Sequence, residues 1–115
     1  MRTAIICRWK RPNPGHEGES WALAKDADEQ FSAWESAGRC GPHMWVGSMG
    51  MEEDPMCLLW GEPMQLVELS ASPEFVALAM RGYVVNEGFR YTFSMAGDTA
   101  EETWPAYEQA VVGVG

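Results

Sequence analysis

Two histidines, three cysteines and a pair of separated arginines are the side chains of this chain best suited to chemistry, and their spacing restricts what that chemistry can be. His43 stands two residues before Trp45 at the start of an apolar run, so it could carry a proton as a general acid or base if it faced a cavity. The plainer role for a histidine in that place is to cap a loop. His16 lies in the polar, glycine-flanked stretch Pro14-Gly15-His16-Glu17-Gly18, which reads as an exposed, mobile loop and would matter only if it closed over a pocket. Cys40-Gly41-Pro42-His43 places two soft ligands close together, but zinc takes three or four and no second Cys/His pair follows. Cys7, Cys40 and Cys57 cannot form a closed set of disulfides, and two of them fall in strand-like apolar runs where a reduced thiol packs as a small hydrophobe. A reducing, cytoplasmic location is expected. Glu52-Glu53-Asp54 reads as a solvated hairpin tip, without the ligand alternation of a calcium loop. There is no phosphate loop, Rossmann glycine pattern, Gly-x-Ser-x-Gly elbow or HExxH, so neither a cofactor nor a metal is expected.

The elements that must position these residues can be read from periodicity. Residues 3–9 are β-branched and aromatic and stop at Arg11-Pro12-Asn13-Pro14-Gly15, which predicts a strand and its loop. From Ser20, Trp21, Ala24, Ala27, Phe31 and Trp34 recur at helical spacing until Gly38. His43 to Gly50 and Met56 to Gly61 read as a hairpin turning at residues 52–55. Pro63 can open a short helix, and Ser72-Pro73-Glu74 opens a second with a capping side chain, a first-position proline and an acid in the first turn, running to Gly88. Phe89 to Met95 alternates as a strand, and Thr99-Ala100-Glu101-Glu102 has capping-box spacing for a C-terminal helix.

The resulting order, β-α-β-β-α-β with a C-terminal helix, predicts an α+β ferredoxin-like domain over residues 1–115, a four-stranded antiparallel sheet with its helices on one face. In this topology the first and last strands are neighbours, and a trial register pairs Arg8 with Arg90. That register gathers Thr3, Ile5, Cys7, Trp9, Phe89, Tyr91, Phe93 and Met95 on the face suited to burial. Ala4, Ile6, Arg8, Arg90, Thr92 and Ser94 fall on the other, which is mixed in character and needs a partner or a ligand. Adjacent Arg8 and Arg90 repel each other unless an anion or an acidic side chain lies between them, so they could bind a carboxylate-bearing molecule. Arg8, Trp45, Arg90 and Thr92 are thus the candidate ligand-binding residues, and His43 the candidate catalytic one.

Pro14-Gly15 after the first strand, the Trp21-to-Trp34 helix, Gly61-Glu62-Pro63 after the third strand and Ser72-Pro73-Glu74-Phe75 together resemble the dimeric α/β-barrel superfamily, over nearly the whole chain. The resemblance implies a homodimer whose two sheets face one another, with cavities beside the sheets. In better-known members such cavities hold aromatic substrates or haem, or nothing identified. The mixed sheet face favours a non-enzymatic homodimer that binds a small apolar or anionic molecule beside Arg8, Arg90 and Trp45. The resemblance permits as the alternative a cofactor-independent oxygenase or isomerase acting on an aromatic substrate, with His43 as proton carrier. No catalytic motif comes with it.

Composition limits the partners. The net charge is −9, and no Lys or Arg lies between Arg39 and Arg81, so the basic stripe needed to neutralise phosphates is missing. Neither nucleic acid nor an anionic membrane surface is expected as a partner. Six tryptophans are unusual in 115 residues and read most simply as core filling, while the eight methionines, several of them around the hairpin, suit an adaptable apolar wall or interface, with core plasticity the commoner role.

Overall fold

The structure is a computed structural model and describes residues 3–47, 54–95, 104–106 and 108–111. Its main sheet has four antiparallel strands in the order β3 (His43–Val46), β4 (Met56–Gly61), β1 (Thr3–Arg8) and β6 (Arg90–Met95). This is the split βαβ order, with β1 between the hairpin and the last strand. Arg8 pairs with Arg90, as in the trial register. Successive strand residues point to opposite faces, so this single pairing decides which side chains of β1 and β6 meet the helices. Thr3 strengthens the inner pairing by donating its hydroxyl to the Gly61 carbonyl at 2.7 Å.

Helix α1 (Glu17–Ser36) begins three residues earlier than its apolar spacing predicts. Glu17 and Glu19 in the first turn favour the early start, because carboxylates there oppose the positive end of the helix dipole. His16 therefore stands at the N-cap position rather than in a mobile loop, with Nδ1 3.3 Å from Glu19 Oε2. The buried stripe is Leu23, Ala27, Phe31 and Trp34, while Trp21 is 68% exposed. At the other end Gly38 takes φ +73°, so that its N–H reaches the Glu35 carbonyl and that of Arg39 the Trp34 carbonyl, a Schellman closure.

α2 (Pro63–Ser70) and α3 (Pro73–Val85) start on prolines, as expected. Ser72 is buried between them, its Oγ accepting from the Phe75 amide at 3.2 Å and donating to the Leu69 carbonyl at 2.7 Å. Ser72→Ala removes both bonds and should cost about 1–2 kcal/mol. Urea denaturation checks this, and a loss under about 0.3 kcal/mol would mean that solvent replaces the cap. α3 stops at Val85 rather than at Gly88. Asn86–Glu87 instead forms β5, which pairs with β2 (Arg11–Pro12), and Arg11 Nε reaches Glu87 Oε2 at 2.7 Å. This small second sheet ties the loop after β1 to the end of α3.

Helices α1, α2 and α3 cover one face of the main sheet, where Ile5, Cys7, Cys57 and Leu59 pack with Phe31, Trp34, Leu66, Leu69 and Phe75. Residues 104–106 and 108–111 are helical, in the region where the C-terminal helix is predicted. The second strand ends at Val46, with Gly47 already outside it, while residues 48–50 of its predicted run, the Glu52-Glu53 part of the hairpin tip and the Thr99–Glu102 capping box lie outside the described residues. Among the described residues no helix is long and apolar enough to cross a membrane.

Candidate functional site

Between α1, α3 and the helix-facing side of the sheet lies a cavity of about 780 Å³. That is within the size range of small-molecule sites. Each element brings an aromatic wall. Trp9 follows β1, Phe31 comes from α1, Trp45 from β3, Phe75 from α3 and Phe89 from the turn before β6. Phe31 stacks on Trp45 with centroids 5.8 Å apart, and Trp9 meets Trp45 edge-on at 6.3 Å. Cys7 and Cys57, cross-strand partners, also line the space. Burial and the small sheet of β2 and β5 hold one end, where Ser20 donates to Asn86 Oδ1 at 2.6 Å. Exposed side chains of α1, namely Glu17, Trp21, Lys25, Asp28 and Glu29, form the solvent-facing rim.

Asp28 organises the rim. Its Oδ1 accepts from the Trp45 indole at 2.9 Å and lies 2.8 Å from His43 Nε2. These bonds, the indole's first, hold the Asp28 carboxyl below its ordinary range. On the ring's other side His43 Nδ1 lies 3.4 Å from Glu35 Oε2, and Phe31 contacts the ring edge-on at 5.6 Å. Both ring nitrogens thus face carboxylates, and only a ring carrying both protons donates to both.

A carboxyl whose native pKa is lowered stabilises the fold fully above its unfolded pKa, about 3.9 for aspartate, and loses that contribution as pH falls through the native value. Asp28→Asn should therefore lower stability at about pH 7, and the gap from the parent chain should be smaller at about pH 2, because the contribution fades as pH falls below about 3.9 and through the lowered native value. Urea midpoints at the two pH values measure it. A gap independent of pH would exclude charge as its source.

Neither Cys57 nor Cys40 is poised as a nucleophile. The Cys57 thiol is pushed well up by its contact with Cys7 and by burial, and Cys40 is pushed up chiefly by burial, with a smaller push from Glu35. All three cysteines are free and buried.

The predicted site residues form two groups that the sheet keeps apart. Trp45 lines the cavity. His43, next along the same face, is not among the lining residues but fixes Trp45 indirectly through Asp28. Arg8, Arg90 and Thr92 project from the opposite face. There Arg90 already has an acidic partner, with Nη2 2.7 Å from Asp54 Oδ2 and Nη1 donating to the Gly88 carbonyl at 2.8 Å. Sequence reasoning passed over Asp28, which stands among the charged residues of α1 and looks like ordinary solvent-facing charge. Trp9, Phe31, Phe75 and Phe89 were legible as apolar, although nothing local to them signals a void rather than solid core.

Fold and site together define a ferredoxin-like α+β protein with a half-open aromatic cavity between sheet and helices. Three solved structures share this fold. A dimeric protein of unknown function from Bacteroides fragilis superposes with a TM-score of 0.60 at 13% identity, over 83% of this chain and 96% of that one. SnoaB, a cofactor-independent oxygenase from Streptomyces nogalater, gives 0.55 at 12% identity over 85% and 95%. Rv0793 from Mycobacterium tuberculosis gives 0.55 at 19% identity over 85% and 97%. At these identities the likeness is one of fold, and the ferredoxin-like α+β fold expected from the order of elements is borne out. No protein-family model and no curated protein sequence matches the chain.

Proposed function

We propose that this chain is a homodimeric, cytoplasmic protein that binds a small, largely apolar molecule in the cavity between α1, α3 and the sheet. The observation that carries the reading is the cavity itself, about 780 Å³ with aromatic side chains from five separate segments turned toward it. A void of that size lined by rings is costly to leave without packing partners, and an apolar occupant restores them. Trp45 is then a ligand contact, while Arg8, Arg90 and Thr92 belong to the face turned toward the second subunit. Support for the dimer comes from the apolar side chains on that face and from the dimeric Bacteroides fragilis protein of the same fold. Three reduced cysteines support the cytoplasm.

The second reading, a cofactor-independent oxygenase or isomerase with His43 as proton carrier, draws on the activity of SnoaB. Against it, His43 has both nitrogens engaged with carboxylates and does not line the cavity. Binding is therefore preferred. The test is calorimetric titration with 2-(1-naphthyl)ethanol, a neutral bicyclic probe. One site per chain is expected, with affinity falling at least ~10-fold in Ala24→Trp, whose indole would fill part of the cavity that Ala24 lines. Equal affinity in parent and variant would place the probe elsewhere, and oxygen uptake or turnover of an aromatic substrate would restore the enzyme reading.

A further inference from the structure

The cavity's apolar wall says that its occupant carries rings or hydrocarbon. Its rim says more. Of the charged side chains lining it among the described residues, Glu17, Asp28 and Glu29 are carboxylates and Lys25 is the one ammonium, with no guanidinium among them. Asp28 is the most committed of these, because its Oδ1 is held at the edge of Trp45 by the indole N–H, while among the described residues Oδ2 has no partner. An ionised oxygen therefore stands beside the exposed edge of an aromatic wall. The arginines that would have drawn an anion, Arg8 and Arg90, are on the far side of the sheet, and Arg90 is neutralised by Asp54.

Resting on the reading that the cavity binds a small molecule, we propose that its ligand class is an aryl or alkyl amine protonated at neutral pH, with its apolar body between the rings and its ammonium at the Asp28 rim. Three physical effects favour the cation over an isosteric neutral or anionic molecule. The carboxylates attract it at short range, ring faces such as that of Trp45 add a cation–π attraction, and the net charge of −9 raises its local concentration at low salt. A carboxylate-bearing ligand would meet the same groups as repulsion, relieved among the described lining residues by Lys25.

The test uses three probes with one ring system: 2-(1-naphthyl)ethylammonium, 2-(1-naphthyl)ethanol and 1-naphthylacetate, titrated calorimetrically into the intact chain at low ionic strength. The ammonium should bind about 10-fold tighter than the alcohol, and the acetate weakest, as expected for partly exposed charge and cation–π contacts. In Asp28→Asn the ammonium's advantage should shrink to within about 3-fold. Lys25→Gln, an exposed position on α1, should widen it, which gives an arm of opposite sign should Asp28→Asn fold poorly. Binding of all three with equal affinity, or of the acetate most tightly, would overturn the amine assignment and leave the apolar cavity site standing. Binding of none would overturn the cavity reading, and this one with it.

Discussion

Trp34→Ala is expected to destabilise the protein by about 3–5 kcal/mol, a large share of the 5–15 kcal/mol typical of a domain. The indole is 2% exposed and sits among rings, 5.8 Å from Phe31 and 6.3 Å from Phe75 between centroids, with the Arg39 guanidinium 5.9 Å from its own. Its Nε1 is buried with no hydrogen-bond partner among the described residues, so the side chain contributes through packing and not through its polar atom. Trp34→Phe tests that division. It keeps the stacking and deletes an unpaired donor, whose burial costs about 1–3 kcal/mol, so the net loss should stay under about 1.5 kcal/mol. Urea midpoints at unchanged slope would measure both variants. Equal losses from Ala and Phe would show that the indole nitrogen does hold the fold. The consequence reaches the cavity, since Phe31 and Phe75, the two rings that Trp34 braces, are part of its wall.

Leu58→Glu should convert a dimer into a monomer. Leu58 lies between Ile6 and Met44 on the sheet face away from the helices, in a patch with Val46, Met56 and Trp60. Met44 and Val46 are 47% and 38% exposed there, a contiguous apolar patch of the kind that a second sheet would cover. An unpaired carboxylate buried at such an interface costs about 3–5 kcal/mol, or two to four orders of magnitude in dimer Kd. Sedimentation at micromolar concentration should find the parent chain dimeric and the variant monomeric, with the same far-ultraviolet dichroism. A monomeric parent chain would sink the dimer and leave the exposed face unexplained.

Much of this protein was legible in its sequence, for identifiable reasons. The strand of residues 90–95 alternates without interruption, and a two-residue period leaves one choice of buried face once its neighbour is known. Arg8 opposite Arg90 is one of several pairings, shifted by two residues from one another, that keep the same side chains on the buried face, and the structure takes that one. Ser72-Pro73 and Gly38 mark helix ends through local backbone chemistry, a capping hydroxyl and a positive φ, which need no distant contact. α1 was harder to place. Trp21 fits the helical spacing of Phe31 and Trp34, but Leu23, two residues on, is the one buried, and a large aromatic side chain at the cavity rim cannot be told from one in the core by periodicity.

Sequence by itself determined the order of the main elements, the split βαβ topology, the acidic surface and the absence of a basic stripe, because each depends on neighbouring residues or on composition alone, whereas the small sheet of β2 and β5 pairs segments far apart in the chain. Only the tertiary structure decided what those elements enclose. Asp28 and His43 are separated by a helix end, a turn and a strand start, and they meet because α1 packs across the edge strand β3. Trp45 and Arg90 were both candidates for one site, yet they stand on opposite faces. The face of an edge strand depends on its register with β4, which short apolar runs such as residues 43–46 leave open. The cavity depends in turn on how far the helices stand from the sheet, a distance set by the summed volumes of side chains from five separate segments.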